Sequence, residues 1–260
     1  MATTTRYIHL RQVTEQLTPQ QKLLQVKQDV FKYYMRDAEQ FILEQGSIRI
    51  GTLQKYRTIE NTALCDEQEG LRIARAEDIV FWSGQAVTDK VSTTSPMFSW
   101  VKSNIGNFAQ GDISISGIEF IEQMDFYIYS FSYECTPSVV KSFSDMPFDC
   151  VAKIGSIHGL AELLVKIHPN LKGLFYAISP VVYRDRYRSP SDDHPSPLVE
   201  AFEKDCKFSA NQEGRIVFFE FNPATRAVKY DLRAIAIPDD FSSPLIKTWF
   251  QKWSMPTASA

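Results

Sequence analysis

The chain has 260 residues, of which 44% are hydrophobic and 23% charged, a composition typical of a globular protein that buries a core. Its formal net charge of −3 excludes the strong overall positive field of many nucleic-acid-binding proteins, while a local basic patch stays compatible with it. No apolar run approaches the ~18 residues of a membrane-spanning helix, and no basic segment followed by an apolar one opens the chain. We therefore expect a soluble, cytoplasmic protein that does not interact with membranes.

Cysteine and histidine are too scattered to form a recognisable ligand motif. The four cysteines stand at positions 65, 135, 150 and 206, without a CxxC pair or a neighbouring histidine. This spacing predicts free thiols and no zinc site. The acidic segment 61–70, with Asp66, Glu67 and Glu69, has two interpretations, a metal-binding loop or a solvated turn that ends at Gly70.

The first third of the chain predicts an arm followed by the start of a β-sheet. Residues 1–28 are polar and contain one helix start at Thr18-Pro19, so we interpret them as an N-terminal arm. Residues 29–253 are predicted to form a single domain, and 254–260 a loose tail. The domain opens with the predicted strand Val30–Tyr34, a helix between Asp37 and Gly46, and a second strand over Ser47–Leu53. Lys32 lies between aromatic residues on the first strand, either as an outward-facing edge residue or as a cation directed into a cleft.

The middle of the chain contains the clearest strand. Residues 71–125 hold short β-prone segments, which predict hairpins and loops. The strand Asp125–Glu134 follows, and alternation places Tyr127, Tyr129, Phe131 and Tyr133 on one face and Ile128, Ser130 and Ser132 on the other. The two serines either hydrogen-bond a ligand or line a packing surface of small residues.

The last hundred residues alternate between predicted strands and short helices. We predict strands over 148–154, 174–183 and 227–232, and helices over 156–168, 198–202 and 244–253. Arg184, Arg186 and Arg188 form a basic triplet, which fits either a contact with nucleic acid or a solvated basic turn.

The segment Phe202–Phe219 combines charged residues with an apolar strand. Asn211, Glu213 and Arg215 occupy alternate positions, so they are predicted on one face at the beginning of a strand. A carboxylate between an amide and a guanidinium is costly to bury without a purpose, which favours a functional site. The alternative is a surface salt bridge on an edge strand.

Taken in chain order, these segments resemble ADP-ribosyltransferases of the class with an arginine, a serine motif and a glutamate. They also resemble a bacterial family of unknown function that is often found beside phage-defence genes. The residues that carry the resemblance are Lys32-Tyr33, Asp66 to Gly70, Ser130-Phe131-Ser132, and Lys204, Phe208, Glu213 and Arg215. Two positions depart from the pattern: Lys32 replaces the first-motif arginine of the transferases, and Asn211 replaces the first glutamate of the bacterial family. In transferases of this fold the position of Asn211 often helps to select the acceptor.

The resemblance implies an α+β fold with an ADP-ribosyltransferase-like, mixed but mainly antiparallel β-core and flanking helices. It implies transfer of ADP-ribose from the substrate NAD to an RNA, DNA or protein acceptor, in a toxin or phage-defence effector with an antitoxin or regulatory protein as partner. Glu213, Ser130 and Ser132 would then be catalytic, and Lys32, Tyr33, Arg57, Lys204, Phe208 and Arg215 would bind NAD. The chemistry suits these residues, because a fixed carboxylate stabilises the positive charge that develops on the ribose.

Two other functions fit the sequence. A metal-dependent nuclease or other hydrolase would use Asp66, Glu69 and a lysine, and would cleave nucleic acid without NAD. A non-catalytic binding module of the same fold would explain the departure at Lys32.

Overall fold

The computed structural model of the protein describes residues 29–57, 71–143, 148–185, 187–222, 224–225, 227–229 and 240–256. The predicted N-terminal arm, the acidic segment 61–70 and Arg186 lie outside these ranges. Residues 257–260 of the predicted tail also lie outside them.

The described residues form an α+β fold in which most strand pairs are antiparallel. The strands are β1 Val30–Tyr34, β2 Ser47–Arg49, β3 Gly51–Thr52, β4 Leu71–Phe81, β5 Ile113–Gln123, β6 Tyr127–Ser132, β7 Cys150–Ile154, β8 Phe175–Pro180, β9 Val182–Tyr183, β10 Tyr187–Arg188, β11 Glu203–Lys204, β12 Glu213–Asn222, β13 Ala227–Lys229, β14 Asp240–Ser242 and β15 Phe250–Trp253. The α-helices are α1 Leu53–Arg57, α2 Phe98–Asn104, α3 Pro137–Ser142, α4 Ile157–Ile167, α5 Pro197–Glu200 and α6 Pro244–Lys247. Short 3-10 helices cover Arg36–Ala38, Val87–Asp89 and Cys206–Asn211, and a π-helix covers Gln40–Glu44.

Within the described ranges, the main sheet has eight strands, and its central path runs β13-β12-β6-β1-β7-β15. β8 also pairs with β12, and β3 also pairs with β6. The three strands in the middle of this path, β12, β6 and β1, carry the glutamate, the serines and the lysine singled out from the sequence. Residues far apart in the chain are therefore brought onto neighbouring strands.

On the edge opposite β12, β6 pairs with two different strands. β3 pairs with the start of β6 at Tyr127 and Ile128, while β1 pairs with its end through the single position Phe31 to Ser132. By contrast, β1 pairs with β7 over all five of its residues. Between Ile128 and Ser132 no strand in the described part of the chain lies against that edge of β6, so the sheet opens there.

Two apolar cores cover the two faces of the main sheet. One contains three aromatic residues of β6, Tyr127, Tyr129 and Phe131, together with Tyr133 just after the strand, packed against α4 through Leu160 and Leu164. The other contains Ile128, packed against α5 through Leu198 and Val199. This division confirms the predicted alternation of β6, because the odd and even residues face different cores.

A separate hairpin of β4 and β5 carries its own small core. The two strands pair antiparallel from Leu71–Gln123 to Phe81–Ile113, and α2 packs on them through Val101. β10 adds a parallel strand beside β4. The predicted hairpins of the region 71–125 are thus realised as one long hairpin with a loop-rich connection.

Several predicted elements are confirmed, and one is wrong. The strands at β1, β6 and β7 and the Ser156-capped helix α4 form where the sequence placed them. The segment 244–253, predicted as one amphipathic helix, is instead the short helix α6 followed by β15, which pairs with β7. The pairing with the edge of β7 satisfies the backbone of these residues and overrides the helical pattern.

Cys135, Cys150 and Cys206 are free thiols, which confirms the prediction for these three residues, and Cys65 lies outside the described ranges. Among the described residues, no helix combines the length and the apolar character needed to cross a membrane.

Candidate functional site

A cavity of about 750 Å³ opens where β1 separates from β6. Its volume falls in the range of small-molecule sites, ~300–1,000 Å³. The lining is largely apolar and includes Tyr34, Phe41, Ile48, Phe143, Phe148 and Phe250. It also includes five basic side chains and one acidic one, namely Lys32, Arg49, Lys55, Lys204, Arg215 and Glu213. A cavity with this balance of charges favours a ligand that is partly aromatic and partly anionic.

Glu213 is positioned by a tight turn at the start of β12. The 3-10 helix Cys206–Asn211 ends at Gln212, whose φ of 46° lies in the left-handed region, and the strand begins at the next residue. Asn211 therefore stands at the end of a helix, although the sequence predicted it on the strand with Glu213 and Arg215. Gln212 interrupts the alternation, yet the side chains of Asn211, Glu213 and Arg215 all line the cavity.

The carboxylate of Glu213 is buried and accepts hydrogen bonds from three side chains. Oε1 accepts from Ser130 Oγ at 2.8 Å and from Arg215 Nε at 2.7 Å, and Oε2 accepts from Lys204 Nζ at 3.0 Å. Glu213 is 8% exposed and Arg215 is 1% exposed. β12 lies between β6 and β8, so the alternative of a surface salt bridge on an edge strand is wrong.

The charges around Glu213 keep its carboxyl ionised. Burial by itself would raise its pKa, but the adjacent charges of Arg215 and Lys204, together with their hydrogen bonds, outweigh burial and hold the pKa well below its usual range. The site thus contains a fixed negative charge at any physiological pH.

Ser130 and Ser132 have different partners although both line the cavity. The Ser130 hydroxyl donates to Glu213, as described above. The Ser132 hydroxyl lies within hydrogen-bond distance of the main-chain oxygens of Glu134 at 3.0 Å and Asn211 at 3.2 Å. Ser132 thus ties the end of β6 to the turn before Glu213, while Ser130 contacts the carboxylate itself.

The Lys32 amine fills the place where β1 leaves β6. The N–H of Tyr133 donates to the carbonyl of Gln212 on the β12 side, so by alternation the carbonyl of Ser130 points to the opposite side of β6. Lys32 Nζ donates to that carbonyl at 2.7 Å and lies 4.8 Å from the centroid of the Tyr129 ring. Lys32 is thus the cation directed into a cleft, and not an outward-facing edge residue.

Burial lowers the pKa of Lys32 to about 8, the negative charge of Glu213 opposes this change, and the positive charge of Arg49 adds to it. A lysine in this position can lose its proton near neutral pH, whereas an arginine cannot.

The other predicted NAD-binding residues are distributed around this centre. Tyr33 lines the cavity and donates its hydroxyl hydrogen to the carbonyl of Glu134 at 3.0 Å. Phe208 is not part of the cavity lining and instead places its ring 4.6 Å from the Lys204 amine. Arg57 is the last residue of α1, and its side chain is not among those that the structure describes.

Three contributions to the site were missed from the sequence. The Tyr183 hydroxyl accepts the N–H of Glu213 at 2.8 Å, and the carbonyl of Ala201 accepts from Arg215 Nη1 at 2.7 Å. Arg49 lines the cavity beside Lys32. No spacing signal connects Tyr183 to Glu213 or Ala201 to Arg215, because their proximity arises from the pairing of β8 with β12 and of β9 with β11.

Arg184 and Arg188, the two residues of the basic triplet that the structure describes, do not form an open basic surface. Arg188 Nη2 donates to both carboxylate oxygens of Glu203, at 2.8 and 2.9 Å, and Arg184 Nε lies 3.5 Å from the same carboxylate. Arg184 and Arg188 therefore fix the segment that carries Lys204, and the nucleic-acid interpretation of the triplet loses its support at these positions.

Among the described residues, no group of three histidine, cysteine or acidic side chains is arranged to hold a metal ion. Comparison of the chain with protein-family models, with curated proteins and with solved structures finds no match.

Proposed function

We propose that the protein is an NAD-dependent ADP-ribosyltransferase with an ADP-ribosyltransferase-like fold, and that it modifies an RNA, DNA or protein acceptor. The observation that carries the proposal is the buried, ionised Glu213, which is hydrogen-bonded to Ser130 and lines the same cavity as Lys32. A strand with a cation, then a serine motif and then a glutamate, in this chain order, also carry the resemblance to the transferases, although Lys32 stands where those proteins have an arginine.

The side chains that line the cavity match the two kinds of chemical group in NAD. NAD combines two flat rings with a pyrophosphate, and the cavity combines aromatic walls with five basic side chains. Lys32 and Lys204 are the cations we assign to the pyrophosphate, because they lie on either side of the Ser130–Glu213 pair.

Glu213 is assigned to the chemical step. When the bond between nicotinamide and ribose breaks, the electron pair leaves with the nicotinamide nitrogen and positive charge develops on the ribose. A fixed carboxylate stabilises this charge. Oε2 of Glu213 accepts one hydrogen bond, from Lys204, and a carboxylate oxygen has two acceptor positions, so it can also accept from a ribose hydroxyl. The acceptor nucleophile then adds to the ribose carbon and loses its proton.

The test is incubation of the protein and a cell extract with NAD labelled on its adenylate phosphate. Label is then measured in the RNA, DNA and protein fractions, and nicotinamide release is followed in parallel. We expect label in one fraction for the wild type and a loss of about 10²–10³ in rate for Glu213→Gln.

The matched control is Glu220→Gln, on the same strand, because Glu220 faces outward and pairs with Lys229 at 3.3 Å. It should retain the wild-type rate. Rates are normalised to folded protein, and Ser130→Ala serves as a second variant that removes one hydrogen bond and no charge. Binding of NAD without nicotinamide release would favour the binding module, and cleavage of nucleic acid with Mg²⁺ but without NAD would favour the hydrolase.

A further inference from the structure

The Lys32 amine can act as a nucleophile, a property that phosphate binding does not use. Its amine lies in a cavity of about 750 Å³, is partly buried, and is held in place by the Ser130 carbonyl at 2.7 Å. A neutral amine has two N–H bonds and one lone pair, so it can keep its hydrogen bond to Ser130 while the lone pair attacks an electrophile.

The groups that face Lys32 favour its neutral form and attract phosphate. Arg49 on β2 repels the ammonium charge, Glu213 on β12 partly compensates, and Lys55 and Lys204 line the same cavity. Because burial lowers the pKa of Lys32 to about 8, its neutral fraction near pH 7 is ~300-fold larger than that of an ordinary lysine. The remaining basic side chains provide the charge that holds a phosphate beside this amine.

We propose that Lys32 is a covalent capture site for phosphorylated aldehydes, such as the open-chain forms of sugar phosphates, which it binds as an imine. The neutral amine adds to the carbonyl carbon, and a proton moves from nitrogen to the new hydroxyl group. The carbinolamine then loses one water molecule as the C=N bond forms. No oxidant or reductant takes part, and hydrolysis with one water molecule reverses the reaction.

This capture depends on the cavity but not on cleavage of NAD. Free ADP-ribose, the product when water acts as acceptor in the proposed reaction, belongs to the same class because its terminal ribose opens to an aldehyde. The capture site and the proposed function can therefore be tested separately in one sample.

The experiment uses the full chain and pyridoxal 5′-phosphate as probe, with borohydride to trap the imine and peptide mass mapping to locate it. Lys172 and Lys247 are exposed and serve as internal comparisons. At pH 8 we expect Lys32 to be labelled at least ~10-fold faster than either lysine, since its neutral fraction is ~100-fold larger than that of an exposed lysine. The labelling rate at Lys32 should rise from pH 7 to 9 and then level off.

Two controls separate capture from general reactivity. Pyridoxal without phosphate should label Lys32 more slowly than pyridoxal 5′-phosphate does, because it reacts with the same neutral amine but lacks the attraction of the basic side chains. Lys32→Arg should melt like the wild type while losing the trapped product. The proposal is overturned if Lys32 reacts no faster than the exposed lysines, or if the phosphate makes no difference.

A further sample contains saturating NAD. Protection of Lys32 would support both proposals, because NAD would then occupy the same cavity. Labelling of Lys32 as expected, without protection by NAD and without nicotinamide release, would keep the capture site and refute the transferase.

Discussion

At the scale of single residues, Glu213 is a buried carboxylate that is held between two buried cations. Lys204 and Arg215 are 4% and 1% exposed, and each donates to a different oxygen of Glu213. A buried carboxylate cannot be removed without leaving its cationic partners uncompensated.

Glu213→Gln should therefore lower the free energy of unfolding by about 3–5 kcal/mol at pH 7, the usual cost of removing one partner of a buried ion pair. Because the pKa of Glu213 is depressed in the folded state, its contribution is complete above the unfolded value, ~4.3, and is lost as the pH falls below it. Urea unfolding at pH 7, 5, 4 and 3 checks this. The difference between wild type and variant should stay constant from pH 7 to 5 and shrink by up to ~1.4 kcal/mol per pH unit below 4. A difference independent of pH would mean that Glu213 is not ionised in the folded protein.

Substitutions of the two serines of β6 should distinguish an effect on the reaction rate from an effect on stability. Ser130→Ala removes the hydroxyl that donates to Glu213, so we expect nicotinamide release to fall about tenfold with a small change in melting temperature. Ser132→Ala removes the contacts to the main chain of Glu134 and Asn211, so we expect a loss of about 1–3 kcal/mol in stability. Its rate per folded molecule should change little. Equal effects of the two substitutions on the rate would show that the serines act as one unit.

At the scale of elements, β12 depends on a glycine between Glu213 and Arg215. A Cβ at Gly214 would lie 2.4 Å from Tyr133 Cε2 and 2.5 Å from Phe131 Cε2. The two rings pack against each other with centroids 5.1 Å apart, so they have little room to move. The missing side chain allows β12 to approach β6 closely enough for Glu213 and Ser130 to meet.

Gly214→Ala should thus destabilise the protein by about 1–3 kcal/mol through overpacking. It should also lower nicotinamide release, because the displaced strand carries Glu213. Gly155→Ala is the matched control, since a Cβ at Gly155 meets nothing within 4 Å. Thermal melting and the rate assay on both variants test this. A Gly214→Ala protein that melts and reacts like Gly155→Ala would show that the contact of the strands is not limiting.

The elements predicted from the sequence are those whose signal is local. The alternation of β6 and the Ser156 cap of α4 depend on neighbouring residues, and both are found where the pattern placed them. By contrast, β15 forms because β7 offers an unpaired edge to Phe250–Trp253, a contact across a hundred residues. No pattern within residues 244–253 records that edge.

The same distinction holds within the site. Glu213 and Arg215 were found because their charges stand out against an apolar strand. The turn at Gln212 was missed, since a left-handed glutamine has no strong sequence signal. Tyr183 was missed for the same reason as β15, because its contact with Glu213 depends on the topology of the sheet.

At the scale of the whole molecule, a buried charged cluster joins the β4–β5 hairpin to the main sheet. Arg72 of β4 pairs through Nε with Glu200 of α5 at 3.0 Å, donates to the carbonyl of Thr94 at 2.9 Å, and also contacts Glu122 of β5. His194 Nδ1 lies 3.6 Å from the other oxygen of Glu200. Residue 201, which follows α5, supplies the carbonyl that receives Arg215, so this cluster lies one residue from a contact of the site.

The link between hairpin and sheet can be measured with a double-mutant cycle on Arg72 and Glu200. Arg72→Met alone should cost about 3–5 kcal/mol, because it leaves the Glu200 carboxylate buried without its cation. Adding Glu200→Gln removes that charge, so the double variant should be more stable than the sum of the single effects predicts, with a coupling energy of at least ~1 kcal/mol.

The control pair is Arg75 and Glu119 on the same hairpin, whose side chains are 42% and 39% exposed and whose coupling should stay below ~1 kcal/mol. Additive effects at Arg72 and Glu200 would show that their charges do not stabilise each other. The hairpin would then be held to the segment before α5 by hydrogen bonds such as those from Arg72 Nη2 to the Pro195 carbonyl and from the His194 N–H to the Thr94 hydroxyl.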